Sequence, residues 1–203
     1  MRRHGLLEAI NSAAEAVKRG GVIVYPTDTV YGIGCDPFKI DAVERVIHAK
    51  MREKKPAPVL VSDLDQLLEV AEPTEEELEA AIRLWPGAVT IVMAKRPELP
   101  DLVTAGEKTV GVRMPAHIVP LLIMQKARRP LVGTSANISG EPSAATIDQI
   151  PSSVLEKVDV VVDAGRTHRQ LPSTVVKIQN RRVIVLREGA VSREEVEKRI
   201  GLK

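Results

Sequence analysis

Apolar residues recur at helical spacing near the start of the chain, at Leu6, Leu7, Ile10, Ala13, Ala14 and Val17. Gly20-Gly21 closes the pattern, so residues 6–19 are expected to form an amphipathic helix. Val22-Ile23-Val24-Tyr25 is short, apolar and β-branched, and Pro26 ends it as a strand. A second helix is expected over 39–50, with Ala42, Val43, Val46 and Ile47 inward, and Val59-Leu60-Val61 reads as the next strand. Helices at 63–71 and 74–84 follow, the latter opened by Thr74 with Glu77 three residues on, a capping-box pattern. Thr90–Ala94 and Thr109–Arg113 read as strands, 116–126 as a helix, and Pro130–Gly133 as a buried strand running into polar sequence. Strands at Val158–Val162, Thr174–Ile178 and Arg182–Leu186 come next, the last two joined by a turn at Gln179-Asn180-Arg181, and Ser192 with Glu195 caps a closing helix. Strands alternating with helices and then a terminal hairpin predict an α/β fold built on a single twisted mixed sheet flanked by helices. No repeat, low-complexity segment or linker interrupts the pattern, so one domain over residues 1–203 is expected.

Composition narrows the chemistry. Cys35 is the only cysteine, which excludes a disulfide framework or a cysteine-based metal site and points to a reducing, cytoplasmic compartment. Glu8, Asn11 and Glu15 interrupt any signal-peptide core at the start, and no apolar run is long enough to cross a bilayer. The formal net charge of +2 is too balanced to imply nucleic-acid coating or membrane-surface binding by itself. Only Tyr25, Tyr31, Phe38 and Trp85 are aromatic, too few for stacking platforms that read single-stranded RNA. His4, His48, His117 and His168 are isolated from one another and from paired acids, so no dedicated metal site is expected.

Three polar clusters lie where α/β proteins place their sites, at strand or helix ends. Pro26 to Gly34 sets two threonines, Asp28 and two glycines directly after a buried strand, the pattern either of a capped turn or of a binding loop. Lys50, Arg52, Lys54 and Lys55 crowd the end of the second helix. A basic helix end near solvent satisfies the dipole, but Lys50 and Arg52 are also spaced to turn an ammonium and a guanidinium toward one polyphosphate. Thr134 to Gly140 is rich in hydroxyl and amide groups and follows another buried strand. No base accompanies Ser135 at a diagnostic spacing, and no Walker or GxGxxG sequence is present, so these groups suit nucleotide or substrate binding rather than a serine nucleophile.

In order along the chain, GGVIVYPTDTVYGIGCD, Lys50-x-Arg52, WPGAVTIVM, TVGVRMPAH, PLVGTSANISGEPS, STVV and VIVLREGAV resemble the YrdC family of threonylcarbamoyl-AMP synthases, which start threonylcarbamoyladenosine formation on tRNA. The resemblance implies a YrdC-like fold with a basic concave cavity, in a single-domain form because the sequence reaches Lys203 without the carboxy-terminal domain of longer members. It implies that L-threonine, bicarbonate or carbon dioxide, and ATP give threonylcarbamoyl-AMP and pyrophosphate, with Mg2+ accompanying ATP. Lys50 and Arg52 are implied as the catalytic cations, and with Thr109, Ser135, Asn137, Ser143 and Arg187 they form the nucleotide set. Thr27, Arg113, Thr134 and Ser173 are implied as the threonine set, and Ser62 stands where many members carry a threonine-contacting histidine. Pro172 and Glu188 replace a glutamate and a proline common in the family. The implied partners are the tRNA-modification enzymes that consume the product. Two other readings fit parts of the pattern. One is a YciO-type paralogue with another acceptor; the other is a non-catalytic RNA-binding module whose surface would use Lys50, Arg52, Lys54, Lys55, Arg128, Arg129, Arg181 and Arg182.

Overall fold

The computed structural model describes residues 3–51 and 55–201. In chain order the elements are α1 (Arg3–Lys18), β1 (Ile23–Tyr25), β2 (Gly32–Gly34), α2 (Ile40–Ala49), β3 (Val59–Leu60), α3 (Leu64–Val70), β4 (Ala71–Glu72) and α4 (Glu75–Leu84). Then come β5 (Val89–Lys95), α5 (Asp101–Thr104), β6 (Thr109–Arg113), α6 (Ile118–Ala127), β7 (Leu131–Val132), β8 (Thr134–Ser135), a 3-10 turn at Ile147–Gln149 and α7 (Ser152–Leu155). The chain closes with β9 (Val160–Val161), β10 (Thr174–Gln179), β11 (Arg182–Arg187) and α8 (Arg193–Ile200). Thr74 and Glu77 form the expected reciprocal cap on α4, and the Ser192 hydroxyl accepts from Glu195 N on α8. Asn180 and Arg181 both take positive φ, the two-residue hairpin geometry whose twist matches that of β10 and β11. No helix among the described residues is long and apolar enough to cross a membrane.

The α/β class and the mixed strand directions are as expected, but the strands form two sheets rather than one. A four-stranded sheet runs β8-β2-β1-β9, and a larger one runs β11-β10-β5-β6-β3-β7 with β4 beside β5. The split arises at Gly133, between β7 and β8: β7 pairs with β3 in the large sheet, and two residues later β8 pairs with β2 in the small one. At this seam Val132 N donates to Cys35 O at 2.8 Å and Gly133 N to Pro58 O at 2.8 Å, so the seam's backbone is tied to both sheets. A Cβ on Gly34 would stand 1.9 Å from the Val132 carbonyl oxygen. Gly34→Ala is therefore expected to cost about 3 kcal/mol, since rigid backbone rather than a movable side chain must give way. A fall in urea midpoint measures it.

Burial alternates along the strands as the pleat requires. Ile23 and Tyr25 pack with Leu60 into the core under α1 and α6, whereas Val22, Val24, Val59 and Val61 face the larger core that α2, α4 and α8 cover. On the large sheet, Ile91, Met93, Val110, Val112 and Val176 fill that core. Their neighbours Thr90, Val92, Gly111, Arg113 and Val175 face the other way and floor a cavity.

Candidate functional site

The cavity has a volume of about 450 Å3. Its walls come from the loop between β1 and β2, from the segment after α2, and from the loop that leaves β8. Its lining cations are Lys50, Lys55, Arg113 and Arg187, and Glu141 is the lining acid among the described residues.

Arg113 sits at the end of β6 and is only 5% exposed. Its Nε donates to Gly87 O at 2.9 Å and its NH1 to Thr29 Oγ1 at 3.0 Å, while its NH2 forms a buried ion pair with Asp28 Oδ1. Burial lowers the guanidinium's pKa and Asp28 opposes that effect. Three of its five N–H groups are thereby used, and the other two, one on each terminal nitrogen, have no partner among the described residues. A fixed fork of this kind at a cavity wall suits a planar carboxylate.

Lys50 closes α2 and is 2% exposed. The chain reverses at Met51, whose φ is positive, and the Lys50 side chain turns inward rather than toward solvent. Its ammonium donates to the Ser135 carbonyl, to Asn137 O at 2.8 Å and to Asn137 Oδ1 at 3.2 Å. Asn137 Nδ2 donates to Ile138 O at 2.9 Å and Glu141 O at 2.6 Å, so the amide folds its own loop back on itself. Lys50 and Asn137 together hold the wall that presents Ser135, Ser139 and Ser143 to the cavity. On the opposite side the Thr90 and Ser173 hydroxyls lie 2.8 Å apart, and Arg187 NH2 donates to Ser173 O at 2.8 Å. Tyr31 bridges from the cavity to the segment after β9, donating between Gly165 O at 2.7 Å and Asp163 Oδ1 at 3.1 Å. Burial raises its phenol pKa to about 12, so it stays a neutral donor.

A family model described as telomere recombination, Sua5_yciO_yrdC, matches residues 15–189. The chain belongs to the Sua5/YciO/YrdC family. It is 36% identical over 194 residues to the threonylcarbamoyl-AMP synthase of Pyrococcus abyssi, covering 95% of this chain and 57% of that protein. The threonylcarbamoyl-AMP synthase of Bacillus subtilis is 33% identical over 195 residues, covering 95% of this chain and 56% of that protein. The crystal structure of P. abyssi Sua5 complexed with L-threonine superposes with a TM-score of 0.89 at 36% identity, over 95% of this chain and 57% of that one. The chain thus spans a little more than half the length of these relatives.

Of the residues that the Sua5/YciO/YrdC resemblance singles out, the structure brings Thr27, Lys50, Arg113, Thr134, Ser135, Asn137, Ser143, Ser173 and Arg187 to one cavity. Arg52 lies outside the described residues, as does Lys54. Thr109 does not line the cavity. It shares a sheet face with Gly111 and Arg113, but the Val92/Gly111 pair is the last lining pair and Thr109 belongs to the next, opposite Ala94. Ser62 is likewise outside, because its hydroxyl donates to Asp63 Oδ2 at 2.7 Å and its backbone N to Gln66 Oε1 at 2.9 Å, which commits it to the start of α3. The burial of Lys50 also removes it from any RNA-binding surface, and Arg129 is engaged with Asp36 at 3.3 Å. Thr29 and Thr90 were not among the expected site residues. Thr29 stood in the cluster after β1, but only the fold shows that it, rather than Thr27, reaches Arg113.

His117 is the N-cap of α6, its Nδ1 accepting from Val119 N at 3.2 Å, which requires that nitrogen to be unprotonated. Burial lowers its pKa, with Asp28 opposing. The unfolded chain therefore binds the proton more readily. Stability is fully present above the unfolded value of about 6.5 and declines as pH falls from there through the depressed folded value. Asparagine keeps a capping oxygen and does not titrate, so His117→Asn is expected to flatten this part of the stability-pH profile in denaturant titrations between pH 7.5 and 5.

Proposed function

We propose that the chain makes threonylcarbamoyl-AMP and pyrophosphate from L-threonine, carbon dioxide or bicarbonate, and ATP, as a nucleotidyltransferase in tRNA threonylcarbamoyladenosine formation. The observation that carries this reading is the buried Arg113 fork, with two N–H groups left for a carboxylate, in a cavity whose lining includes further cations. The relatives named for the same activity support it, and so does the P. abyssi Sua5 structure complexed with L-threonine.

Arg113 binds the threonine carboxylate, while Thr134, Thr90 and Ser173 offer polar contacts for the amine and hydroxyl. The amine attacks carbon dioxide, forming the N–C bond of a carbamate and releasing a proton. A carbamate oxygen then attacks the α-phosphorus of ATP, and the bond to the bridging oxygen breaks to release pyrophosphate. Arg187, Lys55 and Arg52 offset charge on the transferring group and the leaving pyrophosphate. Ser135 and Ser143 orient the nucleotide, and Lys50 holds the wall on which they stand. No covalent enzyme intermediate is needed for these steps. Among the described residues no group of three or more His, Cys, Asp or Glu side chains could cage a metal. Magnesium accompanying ATP would be held by phosphate oxygens and water. This reading puts the reaction in the cytoplasm, with the enzymes that pass the threonylcarbamoyl group to tRNA as its partners.

Incubation with ATP, labelled bicarbonate and a panel of amino acids tests the reading. Pyrophosphate release is expected to depend on threonine, with incorporation of the label into an adenylate. Equal release with glycine, serine and valine would assign the fold another acceptor, as in a YciO-type paralogue. Salt-sensitive RNA binding without any ATP turnover would make it a binding module.

A further inference from the structure

A hydroxyl has one proton, and around Arg113 that limit fixes the direction of each hydrogen bond. Thr27 Oγ1 lies 2.7 Å from the Val30 carbonyl, which can only accept, so Thr27 spends its proton there. The 2.8 Å contact between the Thr27 and Thr29 hydroxyls must then be donated by Thr29. Thr27 Oγ1 also lies within reach of Thr29 N at 3.1 Å and Val30 N at 3.2 Å, so three donors share its two lone pairs. With its proton committed to Thr27, Thr29 Oγ1 presents lone pairs toward Arg113 and accepts from NH1 at 3.0 Å. The chain of bonds runs one way, from Arg113 to Thr29 to Thr27 to the Val30 carbonyl. Both threonines are buried, so water does not readily replace a missing member.

We infer that Thr29 is a positioning residue for the amino-acid substrate: its hydroxyl, oriented by Thr27, holds the Arg113 guanidinium so that the remaining N–H groups meet the substrate carboxylate. The inference rests on the reading of Arg113 as the carboxylate receptor. It also assigns Thr27 a role inside the turn, since its hydroxyl has no proton left for a ligand.

The test compares Thr29→Val, which keeps the branched shape and removes the hydroxyl, with Thr29→Ser, which keeps the hydroxyl. In pyrophosphate-release kinetics Thr29→Val is expected to raise KM for L-threonine about tenfold, the usual scale for losing one hydrogen bond to a charged group, and to leave KM for ATP unchanged. Thr29→Ser is expected to restore the parent value. L-threoninol, which lacks the carboxylate, is used as a competitive probe, and its inhibition constant is expected to be the same in parent and Thr29→Val. Thr29→Ala supplies the same comparison where the valine variant does not fold. Unchanged KM for threonine in both hydroxyl-free variants overturns the inference. So does a parallel rise in both KM values, or failure of serine to restore binding, since either outcome marks a structural role only. If the parent binds L-threoninol as tightly as L-threonine, the carboxylate reading of Arg113 fails and takes this inference with it, and that result is visible without any Thr29 variant.

Discussion

Lys50→Met is expected to lose about 2–3 kcal/mol of stability together with most pyrophosphate release. Methionine replaces the aliphatic stem but not the ammonium, so the Ser135 carbonyl and both oxygens of Asn137 lose a donor at a buried site. That loss falls on the loop that forms one cavity wall, and a loosened wall misplaces the groups that orient the nucleotide. A solvated cation at a helix end, the plainer of the two roles that the sequence pattern allows for Lys50, would cost less than about 1 kcal/mol on removal. The two roles differ by enough to be read from urea midpoints. A variant that loses turnover while keeping the parent midpoint would show the ammonium acting on substrate rather than on the wall. Lys50→Arg is expected to fare little better, because a planar guanidinium does not fit the three acceptors that a compact ammonium reaches.

Elements whose character is local were readable from the residues alone. Thr109–Arg113 alternates over the length of β6, Thr74 and Glu77 carry the cap of α4 within four residues, and Gln179 to Arg182 encloses the hairpin turn. What the chain does not write locally is the small sheet's pairing. Gly32-Ile33-Gly34 carries two glycines, which strands disfavour, and it becomes β2 because β1 and β8 pair with it where Tyr25 and the Val132 carbonyl leave no room for a side chain. Thr134-Ser135 is polar and becomes a strand only because β2 offers it a partner. The division into two sheets follows from those two short segments, which is why a hydrophobic pattern predicts one sheet. The site shows the same limit. Polar clusters after β1 and β8 could be located from composition, but the roles of Thr27, Thr29 and Asn137 depend on which proton goes where, and that needs distances across the fold. Lys50 shows it most plainly, since one reversed residue, Met51, turns the side chain from solvent into the core.

Asp28→Ala is expected to be the most destabilising single change at the site, by about 3–5 kcal/mol, because it leaves the Arg113 guanidinium buried without a counter-charge. The pair is asymmetric: Asp28 Oδ1 meets Arg113, and Oδ2 is buried with no hydrogen-bond partner. Such a pair is poor at stabilising the fold relative to apolar residues, since both charges have been taken from water and one oxygen has nothing in return. Its retention makes sense if Arg113 has to remain charged and fixed for a ligand. The double variant Asp28→Ala/Arg113→Met removes both charges and is expected to recover most of the stability lost in Asp28→Ala, while threonine-dependent pyrophosphate release stays absent. Arg113→Met alone is expected to abolish that release as well. A thermodynamic cycle over the four proteins gives the coupling, which for groups in direct contact is expected to exceed about 1 kcal/mol. Additive effects of the two substitutions would show that the ion pair does not hold Arg113. Recovery of threonine-dependent release in the double variant would remove Arg113 from the site altogether.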